Sequence, residues 1–79
     1  MKELDVLKSS NDLIISRMAN EVEDIINSNP GMSKDEILEI VNDLMTLVNI
    51  EELTDDIDHK VMVEKAFNNI VTIISAISL

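Results

Sequence analysis

The sequence contains no cysteine. That removes disulfides and thiolate chemistry together, and an intracellular, cytoplasmic protein fits best. Aromatic residues are nearly absent, since Phe67 is the only one. The bases of a nucleic acid would find almost nothing to stack on. Six Lys and Arg stand against sixteen Asp and Glu, which leaves no basic patch to follow a phosphate backbone. Direct nucleic-acid binding is therefore not expected. Glycine and proline occur once each, side by side at Pro30-Gly31. A chain with one glycine has no Gly-rich loop to cradle phosphate.

Other absences bear on catalysis and on membranes. His59 is the only histidine, and without cysteine a zinc site from one chain would be unusual. No Ser/His/Asp arrangement and no carboxylate pair in a recognisable pocket pattern is present. The expectation is a non-enzyme without cofactor or metal. The N-terminal "MKELDVLKSSND" has acids and no apolar core segment, so no secretory leader is expected. The last fourteen residues, Ala66 to Leu79, carry no charge. That run is too short to span a membrane and contains Asn68 and Asn69. Isoleucine and asparagine are abundant, and their AT-rich codons are in keeping with a low-GC bacterium, an archaeon, a phage or another mobile element.

What the chain does have is apolar side chains, 46% of its 79 residues. It is too apolar to be disordered, and its length allows one domain, 1–79. So small a core needs very good packing or a second subunit.

Three helical segments are legible. Leu13, Ile14, Met18, Val22, Ile25 and Ile26 recur at three- and four-residue steps before the Pro30-Gly31 turn. They predict a helix over 11–28, capped by Ser10 or Asn11, with Asp12 in its first turn. Residues 2–9 extend it if Leu4, Leu7, Asn11, Ile14, Met18 and Ile25 form a heptad-like seam; Asn11 is then a register-setting seam residue rather than a cap. The second helix is predicted over 34–48. Ser33 and Glu36 have the spacing of a capping box, with Met32 and Ile37 placed for a hydrophobic staple. From Ile37 to Val48 this helix is apolar over more than one face, and its coherent polar ridge is Asp35, Glu39, Asn42 and Asp43. In "NIEELTDDID" the pattern breaks. Ile50 and Leu53 are expected to pack beneath the connection, and Thr54 or Asp55 to cap a third helix over 55–78. The Asp residues of "DDID", Asp55 to Asp58, lack the alternation, glycine and final Glu of a calcium loop. Capping explains them.

The third segment has a narrow polar stripe of Lys65, Asn68, Thr72 and Ser75. Its β-branched run from Ile70 to Ile74 favours a strand by propensity. The pairs Ile70-Val71 and Ile73-Ile74 break the alternation a strand needs, so a helix is expected. Two flanking helices do not easily cover the remaining face. A homodimer interface is expected through Phe67, Ile70, Val71, Ile74 and Ile77. The five methionines read as core filler, and His59 as a surface histidine in preference to a phosphoacceptor.

Charge is concentrated in one block. Residues 1–20 are neutral, 21–58 carry -11 and 59–79 carry +1, which makes the net charge -10. This acidity either keeps an apolar oligomer soluble or offers a face to a basic protein. The candidate partner-binding residues are Glu39, Asp43, Glu51, Glu52, Asp55 and Asp56. In length, acidity and helical content the chain is similar to the acyl carrier proteins. Their prosthetic serine follows an aspartate in an Asp-Ser-Leu motif at a helix start. Ser33 also starts a helix, but in the context Gly31-Met32-Ser33-Lys34, so the motif is absent and the family is not assigned.

The expected protein is all-α, a small bundle of three main helices completed by homodimerisation. Its expected function is that of an acidic regulator or inhibitor binding a basic protein surface. A structural or assembly subunit working through its apolar surface is the alternative. A carrier modified on Ser33 is a third.

Overall fold

The computed structural model describes residues 2–52 and 57–76. Among them every regular element is helical. A short 3-10 turn, Lys2–Leu4, leads into a one-turn helix α1, Asp5–Lys8, followed by α2, Leu13–Ser28, α3, Lys34–Glu52, and α4, Ile57–Ala76. The longer helices pack on one another in each pairing, α2 with α3, α3 with α4 and α2 with α4.

Residues 2–9 do not extend the first long helix, and no heptad seam runs through Asn11. Ser9, Ser10, Asn11 and Asp12 interrupt it, because short polar side chains hydrogen-bond the local backbone in competition with helix. Ser10 Oγ accepts the Asp12 N–H at 3.1 Å. Asp12 then caps α2, its Oδ1 accepting the N–H groups of Ile14 (2.9 Å) and Ile15 (3.1 Å). The cap is thus neither Ser10 nor Asn11, and Asn11 is exposed. The break lets the N-terminal segment fold back. Ser16 Oγ donates to the Lys8 carbonyl at 2.7 Å, and Lys8 Nζ pairs with Glu23 Oε1 at 2.9 Å. Leu4 is carried into the core, where it is fully buried, and the 3-10 turn touches both α2 and α4.

The core face of α2 is Ile15, Met18, Ala19 and Val22. Leu13 does not belong to it and is 80% exposed. The expected face was rotated by including Leu13 and omitting Ile15 and Ala19. At 100° per residue, Leu13 points away from the Ile15-Met18-Val22 side.

At the second turn the capping box forms. Glu36 N donates to Ser33 Oγ at 3.2 Å, and Ser33 N to Glu36 Oε1 at 3.4 Å. Ile37 is buried, with Met32 packed against the same cluster. The helix runs on through Glu52, past the expected end at Val48. Ile50 accordingly sits on a helix rather than beneath a connection. It is 64% exposed, because the core side of α3 is set by Ile37, Val41 and Met45. Leu53, Thr54 and Asp55 lie outside the described residues. On α4 the buried positions are Val63, Ala66, Ile70 and Ile74, and the expected polar stripe of Lys65, Asn68, Thr72 and Ser75 is exposed throughout.

Two long-range bonds fix how the ends meet. His59, in the first turn of α4, pairs through Nε2 with Asp12 Oδ2 at the start of α2. Lys34 Nζ, at the start of α3, donates to the Ser75 carbonyl near the end of α4 at 3.0 Å. The starts of α2 and α4 therefore share one end of the molecule with the end of α3. The start of α3 and the end of α4 share the other.

Candidate interaction surface

The acidic residues foreseen as a partner face fall into three groups. Glu39 and Asp43 are exposed, one turn apart on α3. Glu51 and Glu52 form its last two helical positions. Asp55 and Asp56 lie outside the described residues. Neither Glu39 nor Asp43 has an ion-pair partner among the described residues, and the same holds for Asp35. The acids that are paired sit elsewhere, Glu23 and Asp5 with Lys8 and Asp12 with His59. Glu36 is engaged in the cap of α3. The ridge on α3 therefore presents uncompensated negative charge to solvent.

Of the side chains expected at a dimer interface, Ile70 and Ile74 are fully buried within a single chain, packed with Leu4, Val22 and Val63 in one cluster. Phe67 and Val71 are half-buried, with Phe67 packed against that cluster. Ile77 lies outside the described residues. The wide apolar face of α4 is thus largely covered by the chain's own α2, α3 and N-terminal turn. The N-terminal turn was not expected as a cover, because the spacing of Leu4 and Leu7 fits a seam that continues the first long helix, whereas Leu4 lies in a separate 3-10 turn that folds back.

The exposed large apolar side chains are different ones. Val6 on α1 is one of them. The others, Leu13, Leu47, Ile50, Ile57, Val61 and Met62, come from the start of α2, the end of α3 and the start of α4, which are the elements that meet at the His59 end. Beside them a groove of about 220 Å³ runs between α2 and α3. Ile14, Met18, Leu44, Leu47 and Val48 form its apolar lining, with Arg17 and Glu21 at its lip.

His59 is not an ordinary surface histidine. Its side chain is 25% exposed and meets Asp12 across the α2–α4 contact. A pair this far apart in the chain leaves no spacing signal. Ser33, the residue a carrier would modify, has its Oγ engaged with Glu36, donating to Oε1 at 3.0 Å and accepting from N at 3.2 Å. Among the described residues no group of three or more His, Cys, Asp or Glu side chains converges to hold a metal ion. No helix among them is long and apolar enough to cross a membrane.

Hydrogen bonding to Glu23 holds the Lys8 pKa above the ordinary lysine range; partial desolvation opposes this, and the nearby charges of Glu23, Asp5 and Asp24 add to it. This pair secures the N-terminal segment and takes no part in the acidic ridge. Comparison with protein families, with curated proteins and with solved structures finds no match for this chain.

Proposed function

We propose that this chain is a small, non-catalytic interaction protein whose acidic face binds a basic protein surface, as a regulator or inhibitor does. The observation that carries this reading is the set of exposed carboxylates on α3, Asp35, Glu39 and Asp43, which have no ion-pair partner among the described residues. Like charges one turn apart on a helix are mildly destabilising, by a few tenths of a kcal/mol per pair. A partner's lysines and arginines relieve that repulsion and gain rate from the field. In this reading the fold is a bundle of three main helices, closed by its own N-terminal turn. A homodimer is not needed to cover Ile70 and Ile74, which are already buried.

Capture from lysate of cells that make the protein tests the reading, at low and high salt. Bound basic proteins should be lost as salt rises. They should also be lost from a variant carrying Glu39→Gln, Asp43→Asn, Glu51→Gln and Glu52→Gln, whose stability stays the same or rises. Full capture by that well-folded variant overturns the proposal. The second reading, an assembly subunit, draws on the exposed Leu13, Ile50, Ile57, Val61 and Met62 at the His59 end. It predicts partners that are retained at high salt.

A further inference from the structure

We propose that the groove between α2 and α3 is a docking site for a basic amphipathic helix of the partner protein, which seats apolar anchors between Ile14, Leu44, Leu47 and Val48. This rests on the acidic-face reading and names its binding mode.

Size argues first for side chains rather than a small molecule. The groove holds about 220 Å³, below the roughly 300–1,000 Å³ usual for small-molecule sites. Along α2 its lining runs from Ile14 to Glu21, about 10 Å at ~1.5 Å per residue. That matches about two turns of a partner helix, which would offer anchors three or four residues apart. Addition of a strand is a poor fit, because the described residues contain no sheet edge to extend. Met18 in the lining gives the groove an adaptable wall.

Charge then selects the occupant. Glu21 stands at the lip, and Asp43 lies one turn before Leu47 on the neighbouring helix. The lip has one base, Arg17, while residues 21–58 as a block carry -11. A second copy of the chain would bring the same charge, -10, to the contact. A helix bearing lysines and arginines on either side of its apolar stripe finds Glu21 on the α2 side, where Arg17 offsets part of the attraction, and Asp43 beside the groove on α3. The two interactions then add at one place, with apolar anchoring below and ion pairing at the rim.

The probe is a synthetic Lys-rich peptide of about 18 residues, long enough to form helix, with leucines at helical spacing. Its controls are a scrambled peptide of the same composition and an amphipathic peptide with Glu in place of Lys. Methyl NMR of the full chain reads the site. The expected result is saturable shifts at Ile14, Leu44, Leu47 and Val48. Binding should weaken roughly tenfold for the scrambled peptide and for Leu47→Asp. Leu47→Ala serves as a milder second variant, and Glu21→Gln with Asp43→Asn should flatten the salt dependence. Equal binding of the scrambled peptide overturns the groove while leaving the acidic face standing. Equal binding of the Glu peptide overturns the charge argument. Groove shifts that follow protein concentration alone identify a second copy as the occupant and overturn the proposal. No binding by the basic amphipathic peptide also overturns it, and the salt-dependent capture above then judges the acidic face separately.

Discussion

Asp12 binds in two directions, closing the first turn of α2 with Oδ1 and reaching His59 of α4 with Oδ2. One carboxylate thus sets where a helix begins and which helix lies beside it. The two functions are separable by substitution. Asp12→Ala should cost about 1–2 kcal/mol from the lost cap alone. Asp12→Asn keeps a capping oxygen and should cost less. A double-mutant cycle of Asp12→Asn with His59→Ala, followed by urea denaturation, should show a coupling energy of about 0.5 kcal/mol or more. Additive effects would show that the pair adds nothing to the α2–α4 contact.

The start of α3 depends on Ser33 and Glu36. Ser33→Ala should lower stability by about 0.5–2 kcal/mol, whereas Glu36→Gln, which can still reach back to the cap, should cost less. The denaturation midpoint checks both. The intact mass of the native protein checks the carrier reading, and an unmodified Ser33 is expected.

Ile74 tests how the tail of the chain is covered. Because its side chain is buried by the chain's own helices, Ile74→Ala should cost about 2–5 kcal/mol. Ile74→Asp should unfold the protein at every concentration, since it buries an unpaired carboxylate. A folded monomer of Ile74→Asp, seen by sedimentation and circular dichroism, would instead place Ile74 at an interface between chains.

How much of this was legible depended on distance along the chain. The capping box at Ser33 and Glu36 could be read because both partners lie within one turn. The polar stripe of α4 was readable for the same reason. The cap of α2 was expected one or two residues early, at Asn11 or Ser10, since Ser10, Asn11 and Asp12 are all good capping residues and Asp12 alone of the three meets His59. Leu13 was misassigned because adjacent Leu13, Ile14 and Ile15 fit several helical faces equally well. The pairing of Lys8 with Glu23 and the burial of Leu4 were out of reach, because each depends on the chain reversing at residues 9–12. The acidic ridge was visible as composition, but the groove beside it needed two helices placed side by side.

The Lys8–Glu23 pair predicts a pH dependence of known sign. The pKa of Lys8 is raised in the folded state, so its contribution is present in full at neutral pH. It is lost as pH rises from the ordinary lysine range through the elevated folded value. Over that alkaline window the native protein should lose its stability advantage over Lys8→Met, as thermal melts taken at successive pH values would show. A difference that persists unchanged at the alkaline end would mean the pair does not hold the N-terminal segment.

Asn49 has a buried Oδ1 with no hydrogen-bond partner among the described residues. An unsatisfied buried acceptor costs about 1–3 kcal/mol. Asn49→Leu should therefore raise the denaturation midpoint. A lower midpoint would reveal that the amide has a structural partner.

The burial of Leu4 against both α2 and α4 has a consequence for the order in which the molecule is made. Leu4 leaves the ribosome before α4, which closes over it. Until then the side chain has only part of its surroundings, and the loop to be closed runs from Leu4 through α2 and α3 to α4. Such long-range closure is entropically slow compared with the local pairing of α2 with α3. The hairpin of α2 and α3 can therefore form first, with the N-terminal turn unanchored, and the core is sealed only when synthesis has delivered α4.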